Sequence, residues 1–515
     1  MSMVVPQYSA PFPPAGAWPA LSSPLALTGA VFLAALAWSF AVHLPLLHNE
    51  SGDDANFAWI SHQWLHGTLP YLGAFDIKPP GLFALLGVSE LAFGPTLEAA
   101  RALTVVTDAT TATGLFFLAR RFGGSQVGAF AAAIYPVMSL LAVAYDAVSW
   151  LSAFTVLAFL AALSELSPIR RAALAGLLIG AAATIKQSAA FEAMALAWIV
   201  TSAPNALGRR GRTWLAFAVG AAAAPLGFLI YFAFHGATGS LIENAVVDAL
   251  RRPGSELEGI SFVDGLGRFL LLQKGVLPLA PLCICAVLRQ RELQAAAPGL
   301  PLNALFVWLA AACAAVILQR SLYPQYLAPT LAPALLIAGF WAARDLTKLI
   351  HARSVGCLMA LAALTLISAL RTGAAEYARS NSQDLSLLQR TAEAIRASGA
   401  QPSDRLYVVN RGLWLNSILD LAPPTKYIFP THALCAFYDA GAKAVEENLA
   451  AQPRYILVAD RRLRFGCEKP ERWPPIDDAL KRSYRLLAHV AGERDAYDVY
   501  EWIDAPAFAG WGLRP

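Results

Sequence analysis

Residues 24–81 read PLALTGAVFLAALAWSFAVHLPLLHNESGDDANFAWISHQWLHGTLPYLGAFDIKPPG. The first twenty, Pro24 to His43, contain no Asp, Glu, Lys or Arg. As a helix they extend roughly 30 Å, the thickness of a bilayer's hydrocarbon core. The character then reverses, and Glu50, Asp53, Asp54, Asp76 and Lys78 follow within one loop of a protein that is only 14% charged and 57% hydrophobic. An ordinary soluble domain carries about 25% charged residues. A 515-residue chain so poor in charge cannot clothe a water-facing surface, so lipid must be part of its solvent. The expected fold is mostly α, a polytopic membrane protein.

Outward from this stretch, about eleven spans are expected, near 24–43, 98–119, 125–142, 149–166, 171–186, 188–203, 213–234, 268–288, 302–318, 325–343 and 354–371. With the N-terminus in the cytoplasm, Arg120 and Arg121, Arg170 and Arg171, Arg209, Arg210 and Arg212, Arg289 and Arg291, and Arg344, Lys348 and Arg353 all fall in cytoplasmic loops. Arg251 and Arg252 stand apart, in one long outer loop. Residues 1–23 show no cleavable signal pattern and read as a disordered cytoplasmic tail. Residues 24–371 form the transmembrane domain, with a first outer loop at 44–97 that carries interfacial helices. Residues 372–515 read as a small extracytoplasmic α/β domain. In it helices are expected at Leu385 to Ser398 and Ala442 to Ala451, and strands at Leu406 to Val409, Tyr427 to Phe429, Tyr455 to Ala459 and Tyr497 to Trp502. Cys435 and Cys467 lie there and can pair outside the cytoplasm. The net charge of +4 is too small to imply nucleic acid.

In the first loop, Asp54 to His66 reads as a helix along the membrane surface, capped by Asp53 or Asp54, with Phe57, Ile60, Trp64 and Leu65 as its apolar stripe. Pro79 and Pro80 hold Lys78 in extended backbone. The plain reading is a solvated loop with a helix cap. The chemical reading is a carboxylate acting as general base toward an acceptor hydroxyl, beside a lysine that neutralises a lipid phosphate.

The stretch resembles the first loop of the integral-membrane glycosyltransferases of the C superfamily, in particular the branch holding the bacterial protein mannosyltransferases and the lipid A aminoarabinose transferases. The resemblance rests on Asp53-Asp54, Phe57, Gly67, Pro70-Tyr71, Asp76 and Lys78-Pro79-Pro80. It implies a polyprenyl-phosphate sugar donor drawn from the membrane lipids and an acceptor lipid, envelope glycan or protein. It also implies Asp53 as base with Asp54 beside it, and Lys78, Tyr71 and Asp76 toward the substrate. Asp54 stands where the branch usually has Glu, and Ile77 where some relatives carry an acid that helps bind metal. No cofactor is therefore expected, and a divalent metal is unsupported. The implied location is a bacterial inner membrane.

Asp146, expected in the outer loop between spans three and four, reads either as the second carboxylate of this superfamily or as an ordinary loop acid. Lys186 reads as facing a cavity or as snorkelling to headgroups, Arg101 as a headgroup contact, and Arg268 as a phosphate contact. Tyr326, in RSLYPQY, reads as touching the carrier or as part of an aromatic belt. His62 and His66 have a metal-binding spacing but no evident third ligand. Two other readings stay open, a transporter with charges near the bilayer midplane and a non-catalytic assembly subunit.

Overall fold

A computed structural model describes residues 24–44, 52–123, 125–142, 147–202, 210–251, 279–296, 299–318, 324–349, 386–435, 440–459, 469–492 and 495–503. The N-terminal tail, Asp146, Arg268, the expected span at 354–371, the expected domain boundary at 372 and Cys467 lie outside them.

The chain opens with α1 (Pro24–His43), and α2 (Gly52–Leu65) and α3 (Pro80–Phe93) follow in the first loop. A run of longer helices comes next: α4 (Leu97–Gly123), α5 (Ser125–Ala142), α6 (Ala147–Ala162), α7 (Pro168–Ala183), α8 (Ala189–Ser202) and α9 (Arg210–Phe234). A short α10 (Thr238–Ile242) runs into a π-helical turn, Glu243–Asp248. The helices Ala280–Leu288, Leu302–Leu318 and Ala328–Leu349 follow among the described residues. Among the described residues, three helices are long and apolar enough to cross a membrane: Pro24–His43, Leu97–Phe122 and Arg210–Phe234. They divide by burial. Only 11% of the apolar window is buried in the first and last, against 78% in α4. Lipid therefore faces much of α1 and α9, while α4 is the central post and holds Arg101, Asp108 and a series of threonines. Polar groups inside a bilayer must be satisfied by protein, so they gather on the helix that other helices enclose. The protein is a multi-pass membrane protein.

α7 and α9 pack backbone to backbone. A Cβ at Gly176 would overlap the Phe217 carbonyl oxygen, one at Gly180 that of Ala221, and one at Gly220 that of Ala173. Small residues four apart allow this close approach where no hydrophobic effect drives helices together. The contact fixes the C-terminal end of α7, which the candidate site uses.

The C-terminal region holds a four-stranded sheet in the order β1 (Leu406–Val408), β2 (Tyr455–Ala459), β4 (Ala496–Trp502), β3 (Tyr484–Ala491). β1 pairs parallel with β2, and the other pairs are antiparallel. Along β2, Ile456 and Val458 join Val445, Ile476 and Leu480, whereas Tyr455, Leu457 and Ala459 join the larger core with Leu388 and Ile395. This period-two alternation puts a helix at 386–397 on one face, and the helices Ala440–Ala450 and Trp473–Ser483 on the other.

Two strand expectations need correction. Tyr427 to Phe429 does not join the sheet; its aromatic content serves docking on the first loop, with the Tyr427 ring 5.8 Å from that of Phe75. β3 had no counterpart in the expected strands. It is an edge strand with a bulge between Leu486 and Ala488, which breaks the alternation that marks a strand in sequence.

Gly180→Ala is expected to destabilise the protein by about 1–3 kcal/mol through overpacking, read as a lower thermal midpoint in detergent. Gly227→Ala in α9, where a Cβ meets nothing within 4 Å, is expected to leave the midpoint unchanged or raise it.

Candidate functional site

Asp53 and Asp54 lie in the first turn of α2, where carboxylates complement the helix dipole. Consecutive residues on a helix face different ways, and here the difference decides their roles. Asp54 is fully buried and accepts a hydrogen bond from the guanidinium of Arg101, itself fully buried on α4. Burial pushes the Asp54 carboxyl up, and the Arg101 charge offsets part of that rise. Arg101 is therefore no headgroup contact: it is spent inside the protein, holding α2 against the central post.

Asp53 is half-buried and shares a helix face with Asn56, Phe57 and Ile60. That face meets the Lys-Pro-Pro segment. Asn56 Nδ2 donates to Asp76 Oδ2 at 2.6 Å, and the Lys78 backbone N–H donates to Asp76 Oδ1 at 2.8 Å. The Lys78 ammonium stands 4.0 Å from Asp76 Oδ1 and 5.2 Å from the centroid of the Phe57 ring. Phe57 is one turn beyond Asp53 on the same helix. Pro79 is extended at φ −66° and ψ 156°, and Pro80 starts α3. A proline at the first helical position costs no hydrogen bond, so the motif delivers Lys78 at the lip of a new helix.

Tyr71 is almost fully buried, in left-handed backbone with φ 72°. Its hydroxyl donates to the Lys78 carbonyl at 2.7 Å, and its ring meets Phe83 and Phe232. Burial and the Asp76 charge hold the phenol far above its ordinary range, so it remains a donor. Tyr71 and Asp76 thus clamp the lysine segment rather than reach into open space.

A second pair joins from the bundle. Lys186, just past α7, is 5% exposed, and its ammonium lies 4.0 Å from the centroid of the Tyr326 ring. Lys186 does not snorkel outward, and Tyr326, 4% exposed, is not an interfacial belt residue. The next residue ties this pair to the loop: Gln187 Nε2 donates to the Ile77 carbonyl at 2.7 Å and to the Ala245 carbonyl at 2.9 Å. Segments carrying Lys78 and Lys186 are therefore directly hydrogen-bonded. Asn56 and Gln187 carry no motif in the sequence; their one signal is position, Asn56 one helical turn after Asp53 and Gln187 next to Lys186.

The C-terminal region covers this loop. The Phe75 N–H donates to the Lys426 carbonyl at 2.8 Å, and its ring packs edge-on to His432. Trp414 faces the Asp54 carboxylate. His62 on α2 bonds Glu90 of α3 at 2.6 Å and lies 3.9 Å from Asp420. α2 is thus enclosed rather than laid on the membrane surface as its pattern suggests, and Leu65 of the expected stripe is exposed. Among the described residues, no group of three or more His, Cys, Asp or Glu is placed to hold a metal ion. Cys435 is disulfide-bonded, with its partner outside the described residues.

Charges also lie deep in the bundle, as well as in the first loop. Asp108 on α4 is fully buried, bonded by His43 at 3.0 Å and by Ser139 at 3.1 Å. Glu192 on α8 accepts from Trp308 Nε1 at 2.7 Å.

The chain superposes on ArnT from Cupriavidus metallidurans over 93% of its own length and 98% of that chain. The TM-score is 0.56 for the form bound to undecaprenyl phosphate and 0.58 for the apo form, at 14% identity. The chain has the fold of that structure. The archaeal oligosaccharyltransferase AglB from Archaeoglobus fulgidus, solved with an inhibitory peptide and a dolichol-phosphate, matches over 84% of this chain and 69% of that one, at 12% identity and a TM-score of 0.48. No protein-family model and no curated protein sequence matches the chain. In ArnT terms, the likeness extends through the bundle and the C-terminal sheet and does not depend on shared sequence.

Arg101→Leu strands a buried carboxylate and is expected to cost about 3–5 kcal/mol, whereas the double change with Asp54→Leu recovers most of it; thermal unfolding in detergent distinguishes them. The His62–Glu90 bond raises the His62 pKa above its ordinary 6.5. The stability it adds is complete below that value and is lost as pH rises through the raised one. The thermal midpoint is thus expected to fall with pH across that window, and Glu90→Gln to flatten the fall.

Proposed function

We propose that the protein transfers a sugar from a polyprenyl-phosphate donor to an acceptor hydroxyl, on the membrane face that carries the first loop. One observation supports this above the rest: Asp53, Phe57 and Lys78 share a surface whose loop is hydrogen-bonded to the segment of Lys186. A carboxylate beside two lysines suits the base and the leaving phosphate of one displacement. Lys78 and Lys186 bind the donor phosphate, Tyr326 supports Lys186, and Arg268, which lies outside the described residues, is assigned a further phosphate contact.

In the transfer, the acceptor oxygen bonds the anomeric carbon as the bond from that carbon to the phosphate oxygen breaks. The acceptor proton passes to the Asp53 carboxylate, assisted by Asp146. The electron pair leaves on polyprenyl phosphate, whose charge the lysines neutralise. Attack opposite the leaving group inverts the anomeric configuration. Asp54, paired with Arg101, positions Asp53 and does not take the proton. The donor sugar is a hexose or pentose unit, and the acceptor a lipid, an envelope glycan or a protein.

A bacterial inner membrane suits such a donor, with the N-terminus in the cytoplasm. The Cys435 disulfide favours an oxidising compartment for the C-terminal region, hence the extracytoplasmic side. A transporter would line a cavity with its midplane charges. Asp108 and Glu192 are instead fully packed and bonded to neighbours, which fits a structural part.

Membranes holding the full chain are assayed with radiolabelled polyprenyl-phosphate sugar. Asp53→Asn is expected to lower transfer by about 100-fold or more at unchanged protein level, in line with loss of a general base. Lys78→Met should raise the donor KM more than Lys78→Arg does. Full transfer by Asp53→Asn would remove Asp53 from the reaction.

A further inference from the structure

His62, Glu90 and Asp420 meet where the C-terminal region lies on the first loop, and the transfer reaction uses none of them. His62, near the end of α2, has a carboxylate on each side of its ring. Its Nδ1 is 2.6 Å from Glu90 Oε1 of α3, and its Nε2 is 3.9 Å from Asp420 Oδ1. Asp420 caps the C-terminus of a short helix, Trp414–Leu419, in left-handed backbone with φ 52°. At the other end of that helix, Trp414 faces Asp54. The short helix therefore meets α2 near both of its own ends, at Asp54 and at His62. A cavity of about 20 Å³ lies along the seam, bordered by Ala58, His62, Glu90, Trp414 and Ser417, with room for about one water molecule.

The two ring nitrogens respond differently when a proton leaves. A neutral imidazole keeps one N–H. The short contact with Glu90 holds that proton on Nδ1, so the link between α2 and α3 survives. Nε2 then turns a lone pair toward the Asp420 carboxylate, and the attraction across the seam is gone. The imidazolium answers both carboxylates at once. Among the described residues, the charges acting on His62 are those of Glu90 and Asp420. From its own helix, His66 stacks on it with ring centroids 4.2 Å apart and donates from Nδ1 to the His62 carbonyl. From the start of α4, Thr96, Ala99 and Ala100 border the cavity and bring no charge. The Glu90 bond raises the His62 pKa, so the imidazolium persists above the ordinary 6.5.

We propose that His62 is a pH-responsive latch: as imidazolium it holds the helix Trp414–Leu419 of the C-terminal region onto α2 through Asp420, and as neutral imidazole it releases that end. The latch is complete below pH 6.5 and is lost as pH rises through the raised pKa. The docking stands apart from the chemistry of the site. Its consequence for transfer rests on the reading of Asp53 as base: a released helix slackens Trp414 against Asp54, the residue that positions Asp53.

The test is hydrogen exchange of the full chain in detergent, read on residues 414–421 after correction for intrinsic exchange, at about pH 5.5 and about pH 9. The wild type is expected to protect this segment about threefold more at the lower pH, the modest worth of an ion pair with one exposed partner. Asp420→Asn, which tolerates the left-handed backbone, and His62→Gln should show equal protection at both. In membranes given radiolabelled polyprenyl-phosphate sugar, the ratio of wild-type to D420N transfer should fall from about three to about one over the same interval. Both chains carry Asp53, so its own titration cancels in the ratio. Protection in the wild type that does not change with pH, or a change that D420N retains, overturns the proposal. A change in protection at a constant transfer ratio overturns the link to transfer. Absence of transfer from every chain at both pH values counts against the Asp53 reading, and the exchange result then decides the latch by itself. Where H62Q fails to fold, D420N carries the comparison.

Discussion

The buried ion pair between Asp54 and Arg101 is the constraint on which the loop geometry rests. A carboxylate and a guanidinium withdrawn from water lose several kcal/mol of hydration each and are tolerated only as partners. Because Arg101 belongs to α4, the most enclosed of the long apolar helices, the pair ties the start of α2 to the rigid centre of the bundle. Helical geometry then turns Asp53, Asn56 and Phe57 toward the Lys-Pro-Pro segment. Without the pair, the start of α2 would lose its tie to α4.

From that anchor the loop is held by short polar links rather than by a large apolar core of its own. Asn56 and the Lys78 N–H both address Asp76, Tyr71 fastens the Lys78 carbonyl, and Gln187 reaches across from the end of α7. Each is worth roughly 1 kcal/mol in isolation, yet together they fix a lysine whose own backbone is already restricted by two prolines. Position here comes from α7, and α7 is placed by its glycine contact with α9. The lipid-facing and site-forming parts of the fold are thus mechanically one.

The C-terminal sheet covers the same loop through Phe75, Trp414 and Asp420. Its charged edge strand also shows why sequence patterns mislead: Arg485 and His489 of β3 pair across to Glu501 and Asp498. Such charges protect an exposed edge from further pairing and at the same time erase the alternation that would announce a strand. The aromatic run at Tyr427 makes the opposite error, looking like a strand because docking surfaces and sheets favour the same residues.

By itself the sequence determined the class of the molecule, most of its described bundle helices and the loop where acids and a lysine are concentrated. Scarcity of charge and twenty-residue apolar runs have few physical solutions, and acids following a span stand out against that background. The tertiary structure decided which of two adjacent aspartates is sequestered, that Lys186 turns inward to Tyr326, and that Arg101 and Asp108 are internal. Those outcomes depend on which helix faces which, and a side chain's partner across forty or more residues leaves no periodic trace in the chain. Local spacing sets the face of a helix; only packing sets what that face meets.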